Sequence, residues 1–185
     1  MDIVSTIRNY VEDECKKPTS KYGYEPFLFH FTPMVKYAEK LADELGGDKE
    51  VILIAAWLHD IGSIIYGRSD HHITGAKIAE EKLKELNYSN EKIELIKKCI
   101  LNHRGSVDNE RGSIEEQIIS EADTLSQFDN VSGMFKAAFI FEKLDQSEAT
   151  ISVKEKVERK YKKLHFKESR ELVREKYRAM MFLLN

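Results

Sequence analysis

Apolar residues recur along this chain at intervals of three and four positions almost throughout, and that period predicts helices. Ile3, Val4, Ile7, Tyr10 and Val11 form a first stripe, closed near Lys16-Lys17-Pro18 by basic residues in the last turn and a proline beyond it. Residues 18–29 read as a loop rich in Tyr and Phe, placed to pack on the core. A second stripe, Met34, Val35, Ala38, Leu41, Ala42 and Leu45, follows Thr32-Pro33, which has the form of an N-cap with proline at the first helical position, and stops at Gly46-Gly47. Asp48 is placed to cap a third helix, in which residues 51–58 are apolar without a break. That run ends in His59-Asp60, and Gly62 ends or bends the helix there.

Beyond it, residues 61–69 read as a short loop. Ile73, Ala76, Ala79, Leu83 and Leu86 then mark one helix, and Ile93, Ile96, Cys99 and Ile100 another, with His103 at its far end. A polar loop is expected over residues 105–112. Ser113-x-x-Glu116 has the form of a capping box, opening a helix with Ile114, Ile118, Ala122 and Leu125 on one face. Residues 131–144 and 151–184 supply three more helical segments. Alternating strand patterns, internal repeats and low-complexity tracts are absent from the sequence. The reading is an all-α protein of about eight helices in one compact domain over residues 1–185.

Composition narrows the class. Of 185 residues, 42% are hydrophobic and 33% charged, the balance of an ordinary soluble chain rather than a disordered one. No apolar run approaches the roughly 18–20 residues a membrane span needs, and the start, Met1-Asp2-Ile3-Val4, does not read as a signal peptide. Cys15 and Cys99 are far apart and form no CxxC unit, so reduced thiols and a cytoplasmic location are expected. The net charge of −3 is unevenly spread: residues 151–185 carry 11 of the 29 basic and 5 of the 32 acidic residues, a local +6. This reads as the solvated faces of two surface helices, although such charge would also attract a phosphorylated ligand.

The candidate chemistry lies at helix ends. Of the six histidines, His30, His59, His71, His72 and His103 fall within or beside the ends of successive predicted helices. Asp60 and Asp123 are acidic residues set in apolar surroundings. A buried carboxylate without a partner costs several kcal/mol or more, whereas a cation offsets that cost. Several such residues at neighbouring helix ends therefore point to a metal rather than to isolated hydrogen-bonded side chains.

His30, then His59-Asp60, then Asp123 resemble, in order and spacing, the H…HD…D pattern of the HD-domain superfamily of metal-dependent phosphohydrolases. The local contexts Ala56-Trp57-Leu58-His59-Asp60-Ile61-Gly62 and Glu121-Ala122-Asp123-Thr124-Leu125 resemble it as well. The resemblance covers about residues 28–130, with 131–185 expected to pack on that core. In two-metal members of the superfamily, a histidine four residues before a glycine opens the helix after the HD turn, and another closes the next helix. His71, counted back from Gly75, and His103 occupy those places, with His72 as the alternative ligand. The resemblance thus implies one ion held by His30, His59, Asp60 and Asp123, and a second held by His71 and His103 with Asp60 between them.

What the resemblance implies is hydrolysis of a phosphate ester, a nucleotide ester among them, by a water that one or two divalent ions (Mn, Fe, Mg, Co or Zn) activate. Asp60 and His59 carry the catalytic centre. Arg68, Arg104 and Lys77, with Arg111, are candidate phosphate contacts, the arginines favoured because a guanidinium can engage two oxygens at once. Glu121 stands as either an outer partner to a ligating imidazole or an exposed helix residue, and His165 receives no role. Two other readings use the same residues: a di-iron oxygenase of the same superfamily, or a non-catalytic nucleotide-binding module. No phosphate-loop, dinucleotide-fold, nucleophile-elbow or HExxH motif occurs, nor a specific nucleic-acid motif. The Gly-Tyr-Pro tripeptide of the cyclic-dinucleotide-hydrolysing branch is also absent.

Overall fold

The burial pattern centres on the helix that the sequence makes apolar without interruption. In a computed structural model, which describes residues 2–104 and 110–185, this helix is α3 (Lys49–Leu58). Asp48 caps it by accepting the backbone N–H groups of Glu50 and Val51 at 3.1 and 3.2 Å. Val51, Ile52, Ile54, Ala55, Ala56 and Leu58 are all fully buried. At about 1.5–3 kcal/mol for each large aliphatic side chain removed from water, that run holds the helix at the centre. Around it pack α1 (Ile3–Lys16), α2 (Thr32–Leu45), α6 (Asn90–Asn102) and α7 (Ile114–Ser126).

Each of these neighbours has a local reason for its bounds. Asp2 caps α1 through the N–H of Ser5, and the helix turns Ile7, Val11 and Cys15 inward. A single π-helical turn, Phe27–Phe31, leads into α2, which buries Met34, Tyr37, Ala38, Leu41 and Ala42 and stops where Gly46 takes a φ of 86°. The aromatic loop before it packs as expected: the rings of Tyr24, Phe27 and Trp57 stack in sequence, with centroids 5.4 and 5.5 Å apart.

After α3 the chain breaks at His59-Asp60 and at once resumes as α4 (Ile61–Tyr66). The loop expected over residues 61–69 is therefore helical for most of its length. Ile61, Gly62, Ser63 and Ile64 are buried there, and a buried segment keeps its backbone groups bonded by staying helical. α5 (His71–Glu85) and α6 then form an antiparallel pair against α4 and α3.

Of the polar loop expected over residues 105–112, residues 105–109 lie outside the described residues. Ser113 caps α7 through the N–H of Glu116 at 3.2 Å, but the Glu116 carboxylate does not close the box. It instead accepts from Asn102 Nδ2 at 2.6 Å, tying the start of α7 to the end of α6.

A 3₁₀ turn, Gln127–Asp129, connects α7 to α8 (Val131–Ile140), and α9 (Gln146–Lys162) and α10 (Lys167–Leu183) complete the chain. α9 begins before the expected residue 151 because Asp145 and Glu148 make a full reciprocal capping box, a signal visible in the sequence as Asp145-x-x-Glu148. α9 and α10 meet through stacked Tyr161 and Tyr177 rings, 3.9 Å apart, and α10 reaches back onto α2 and α7. The described residues thus form ten α-helices and no strand. The all-α class stands, and the count exceeds about eight chiefly through the short α4. Cys15 and Cys99 are buried free thiols. Among the described residues no single helix is long and apolar enough to cross a membrane.

Candidate metal centre

Four imidazoles come together where α3, α5 and α6 end or begin and where the π-turn passes α7. His59 follows the last turn of α3 and has no exposed surface. Its Nδ1 lies 2.9 Å from the carbonyl oxygen of Ala56, three residues back. His103, which follows α6, repeats the arrangement with Ile100 at 2.6 Å, and His71, which opens α5, repeats it with Arg68 at 2.8 Å. A carbonyl oxygen only accepts, so Nδ1 carries a proton in each ring, and in the neutral imidazole Nε2 then presents the lone pair. His30 Nδ1 meets the Ser126 hydroxyl at 3.0 Å. That hydroxyl already donates to the Asp123 carbonyl at 2.8 Å, so it accepts from His30, and the same tautomer results.

All four Nε2 atoms face Asp60. Asp60 Oδ2 lies 3.5 Å from His30 Nε2 and 3.7 Å from His59 Nε2. Asp60 Oδ1 lies 3.2 Å from His71 Nε2 and 3.7 Å from His103 Nε2. Asp123 Oδ1 stands 3.6 Å from His30 Nε2, on the first side. Two three-residue sets result, His30/His59/Asp60 and Asp60/His71/His103, with Asp60 common to both.

The sets fit divalent cations on two counts. In the neutral rings with Nδ1 protonated, the facing nitrogens, 2.9 Å apart in His30/His59 and 3.4 Å apart in His71/His103, oppose lone pair to lone pair. Ligands about 2.1 Å from one ion, at angles between octahedral and tetrahedral, lie about 3.0–3.4 Å apart, which is close to the spacing observed. The electrostatics agree. Burial works against the Asp60 carboxyl, yet His59, His30 and His103 hold it well below the usual carboxylate range. Burial, with His30 and His103 adding to it, pushes the His59 imidazole down to about 4. For His30 burial is outweighed by Asp60 and Asp123, which raise it. The site thus keeps its carboxylate charged and draws positive charge to itself.

Of the residues singled out in the sequence, His30, His59, Asp60, His71, His103 and Asp123 come together. His72 does not join them: its ring lies edge-on to His71, 5.7 Å away, and its Nδ1 is buried without a hydrogen bond. Arg68 is exposed, while its carbonyl braces His71. Arg111 donates to the carbonyls of Asn102 and Arg104 at 3.0 and 3.1 Å, which holds the chain beside His103. Lys77 is largely exposed, 4.0 Å from Glu81 one turn along α5.

Glu121 is neither exposed nor bonded to a ligating imidazole. It is buried, and its Oε1 accepts the backbone N–H groups of His165 and Phe166, between α9 and α10. Ser126 escaped the sequence reading, although its place three residues after Asp123 sets both on one face of α7. Ser63 was missed too; its hydroxyl reaches Asp60 Oδ1 at 3.4 Å.

The comparisons with known proteins converge on this region. The HD domain family model matches residues 28–128. An uncharacterized protein of Clostridium beijerinckii is 36% identical over 104 residues, which are 54% of this chain and 64% of that protein. A tRNA (cytidine(56)-2'-O)-methyltransferase of Picrophilus torridus is 24% identical over 158 residues, 77% of this chain and 44% of that protein. The chain therefore spans less than two thirds of the length of either relative. Among solved structures, the Lin1889 protein of Listeria innocua superposes with a TM-score of 0.74 at 18% identity, covering 100% of this chain and 94% of that one. Bacillus subtilis YpgQ, solved in complex with ADP, gives 0.72 at 18% identity, covering 98% and 93%. These two likenesses show a shared fold.

Proposed function

The chain belongs to the HD domain family, and from that premise we propose that it is a metal-dependent phosphohydrolase acting on a phosphate ester, with a nucleotide as the favoured class. The observation that carries the reading is the convergence of four Nε2 atoms on the two oxygens of Asp60. In this reading His30, His59, Asp60 and Asp123 hold one divalent ion, and Asp60, His71 and His103 a second. Ions bound there supply Lewis acidity and a water activated at neutral pH, the chemistry that phosphoester hydrolysis needs.

The protein's own contribution is order. The Ala56, Arg68 and Ile100 carbonyls and the Ser126 hydroxyl fix the proton of each imidazole at Nδ1, so no ring has to change tautomer to bind. Burial disfavours the protonated form of His59, and, against burial, any proton carried by the neighbouring imidazoles favours the ionised form of Asp60. Arg68, three residues before His71, and Arg104, next to His103, are the proposed phosphate contacts, whereas Lys77 faces solvent with Glu81. The ADP complex of YpgQ supports a nucleotide.

The test combines metal counting with turnover. Protein purified without added metal is expected to hold two divalent ions per chain and to hydrolyse nucleotides with Mn, with or without oxygen. His59→Ala and Asp60→Ala are each expected to lose metal and to lower hydrolysis by more than the roughly 10–100-fold typical of an outer-sphere partner. Full metal content with full hydrolysis in either variant would sink the proposal. Turnover that requires dioxygen would favour the di-iron oxygenase reading.

A further inference from the structure

A lysine of α9 lies on the helix's inward-facing stripe. The buried face of α9 runs through Ala149, Val153, Val157 and, just beyond the helix, Leu164. Lys160 falls on the same stripe, three residues after Val157 and four before Leu164. The end of α9 is held near the 3₁₀ turn after α7, and the connection that follows α9 is held to α7 itself. The Tyr161 ring lies 6.4 Å from that of Phe128, and Glu121 accepts the N–H groups of His165 and Phe166. Between Glu121 and Phe128 lie Asp123 and Ser126, two residues that build the His30 side of the metal centre.

The ammonium has no counter-charge at contact distance. Lys156 and Lys162, on the same helix, pair with Glu142 and Glu158 at 2.5 and 3.7 Å. Lys160 makes no ion pair among the described residues. Its surroundings are mainly basic: Arg159, Lys163 and Arg68 all repel it, and Asp123 is the acidic group that attracts it. Burial, which outweighs Asp123, holds its pKa below the ordinary lysine value. Its charge is also felt at His30, so it stands within electrostatic reach of the centre. A half-buried cation with no contacting partner costs stability. A bound anion beside Asp123 removes that cost.

We propose that Lys160 contacts the phosphate group of the substrate, making α9, outside the matched HD segment, part of the substrate site. The proposal rests on the phosphohydrolase reading for the nature of the substrate and adds a residue that the metal ligands do not require. Arg68, close enough to repel Lys160, would bring a second positive charge to the same phosphate. Within the basic balance of residues 151–185, Lys160 would then act on the substrate, while Lys162 and Lys163 remain exposed.

The experiment compares metal-loaded wild type, Lys160→Met and Lys160→Arg, using the slowly hydrolysed analogue α,β-methylene-ADP as probe and adenosine as the phosphate-free control. Lys160→Met keeps the length and apolar stem of the side chain. It is expected to weaken probe binding at least about tenfold, the loss of one charge-assisted contact, with adenosine binding and metal content unchanged and Tm unchanged or higher. Lys160→Arg is expected to stay within about threefold of wild type, because it keeps the charge.

Wild-type affinity in Lys160→Met, no binding of the probe by wild type, or a fall in Tm together with metal loss would each overturn the proposal. The last result would make Lys160 a structural counter-charge to Asp123. The two readings fail separately. A wild type that hydrolyses nucleotides while Lys160→Met binds normally overturns the Lys160 assignment alone. Loss of affinity in Lys160→Met, in a wild type that hydrolyses no phosphoester, overturns the hydrolase reading alone.

Discussion

His71 and His72 show how much one residue of register decides. Neighbours on a helix project about 100° apart, so only one of two adjacent histidines can face a given centre. His71 faces inward, with Nδ1 on the Arg68 carbonyl and Nε2 3.2 Å from Asp60 Oδ1. Counting four residues back from Gly75 singles out the same histidine, but the count carries no physical reason of its own; the brace on Arg68 does. His71→Ala is expected to reduce the bound divalent ions from two per chain to one, whereas His72→Ala leaves both. Elemental analysis of the two variants, purified in parallel, checks this. Equal metal content in both would remove His71 from the ligand set. The Nδ1 braces themselves were not legible in the sequence, because each depends on a carbonyl orientation that only the helix ends create.

At the scale of elements, the junction of α3 and α4 places Asp60. The apolar run of α3 carries the chain into the core, and the break at Asp60, with φ of −112° and ψ of 14°, frees the carboxylate from either helix. Gly62 then lets α4 meet the start of α5 closely. A β-carbon at this position would lie 2.3 Å from the His71 carbonyl oxygen, 2.5 Å from Thr74 Oγ1 and 2.7 Å from the Gly75 nitrogen. Two of these are backbone atoms, so a methyl group can be accommodated only by moving α5 and His71 with it. Gly62→Ala is expected to cost about 1–3 kcal/mol through overpacking, and to weaken the ion of the His71/His103 set more than that of the His30/His59 set. Thermal unfolding and metal titration together check both parts. In the sequence Gly62 marks only the end of a helix; its contact with the backbone of α5 is a tertiary fact.

For the whole molecule, the question is whether residues 131–185 are an addition or part of the same folding unit. Glu121 points to the second. It is buried on α7, and the backbone groups that its carboxylate accepts, at His165 and Phe166, come from beyond the matched segment. Removing them leaves a buried carboxylate unpaired, a loss of about 3–5 kcal/mol when one side of such an interaction is deleted. It also uncovers Phe128, which is buried and packs against Tyr161. A fragment of residues 1–130 is therefore expected to show no cooperative thermal transition and to bind less than two ions, while the full chain unfolds in a single step. Calorimetry of both proteins tests this. A fragment with a sharp transition and full metal content would show that the C-terminal helices are dispensable.

The order of apolar and polar residues by itself determined the all-α class, most helix bounds, the central place of α3, and His30, His59, His71, His72, His103, Asp60 and Asp123 as candidate ligands near helix ends, which the resemblance to the HD superfamily narrowed to a set with His71 or His72 open. These follow from local chemistry: a helical period, a capping side chain, a stop at glycine or proline, and charged groups that the core would otherwise exclude. The tertiary structure alone decided the rest. The pairing of each Asp60 oxygen with two imidazoles, the Ser126 link, the close approach at Gly62, the capping of the α9–α10 connection by Glu121, and the inward position of Lys160 each join segments far apart in the chain. Their physical basis is distance in space, which a periodicity along the chain does not encode.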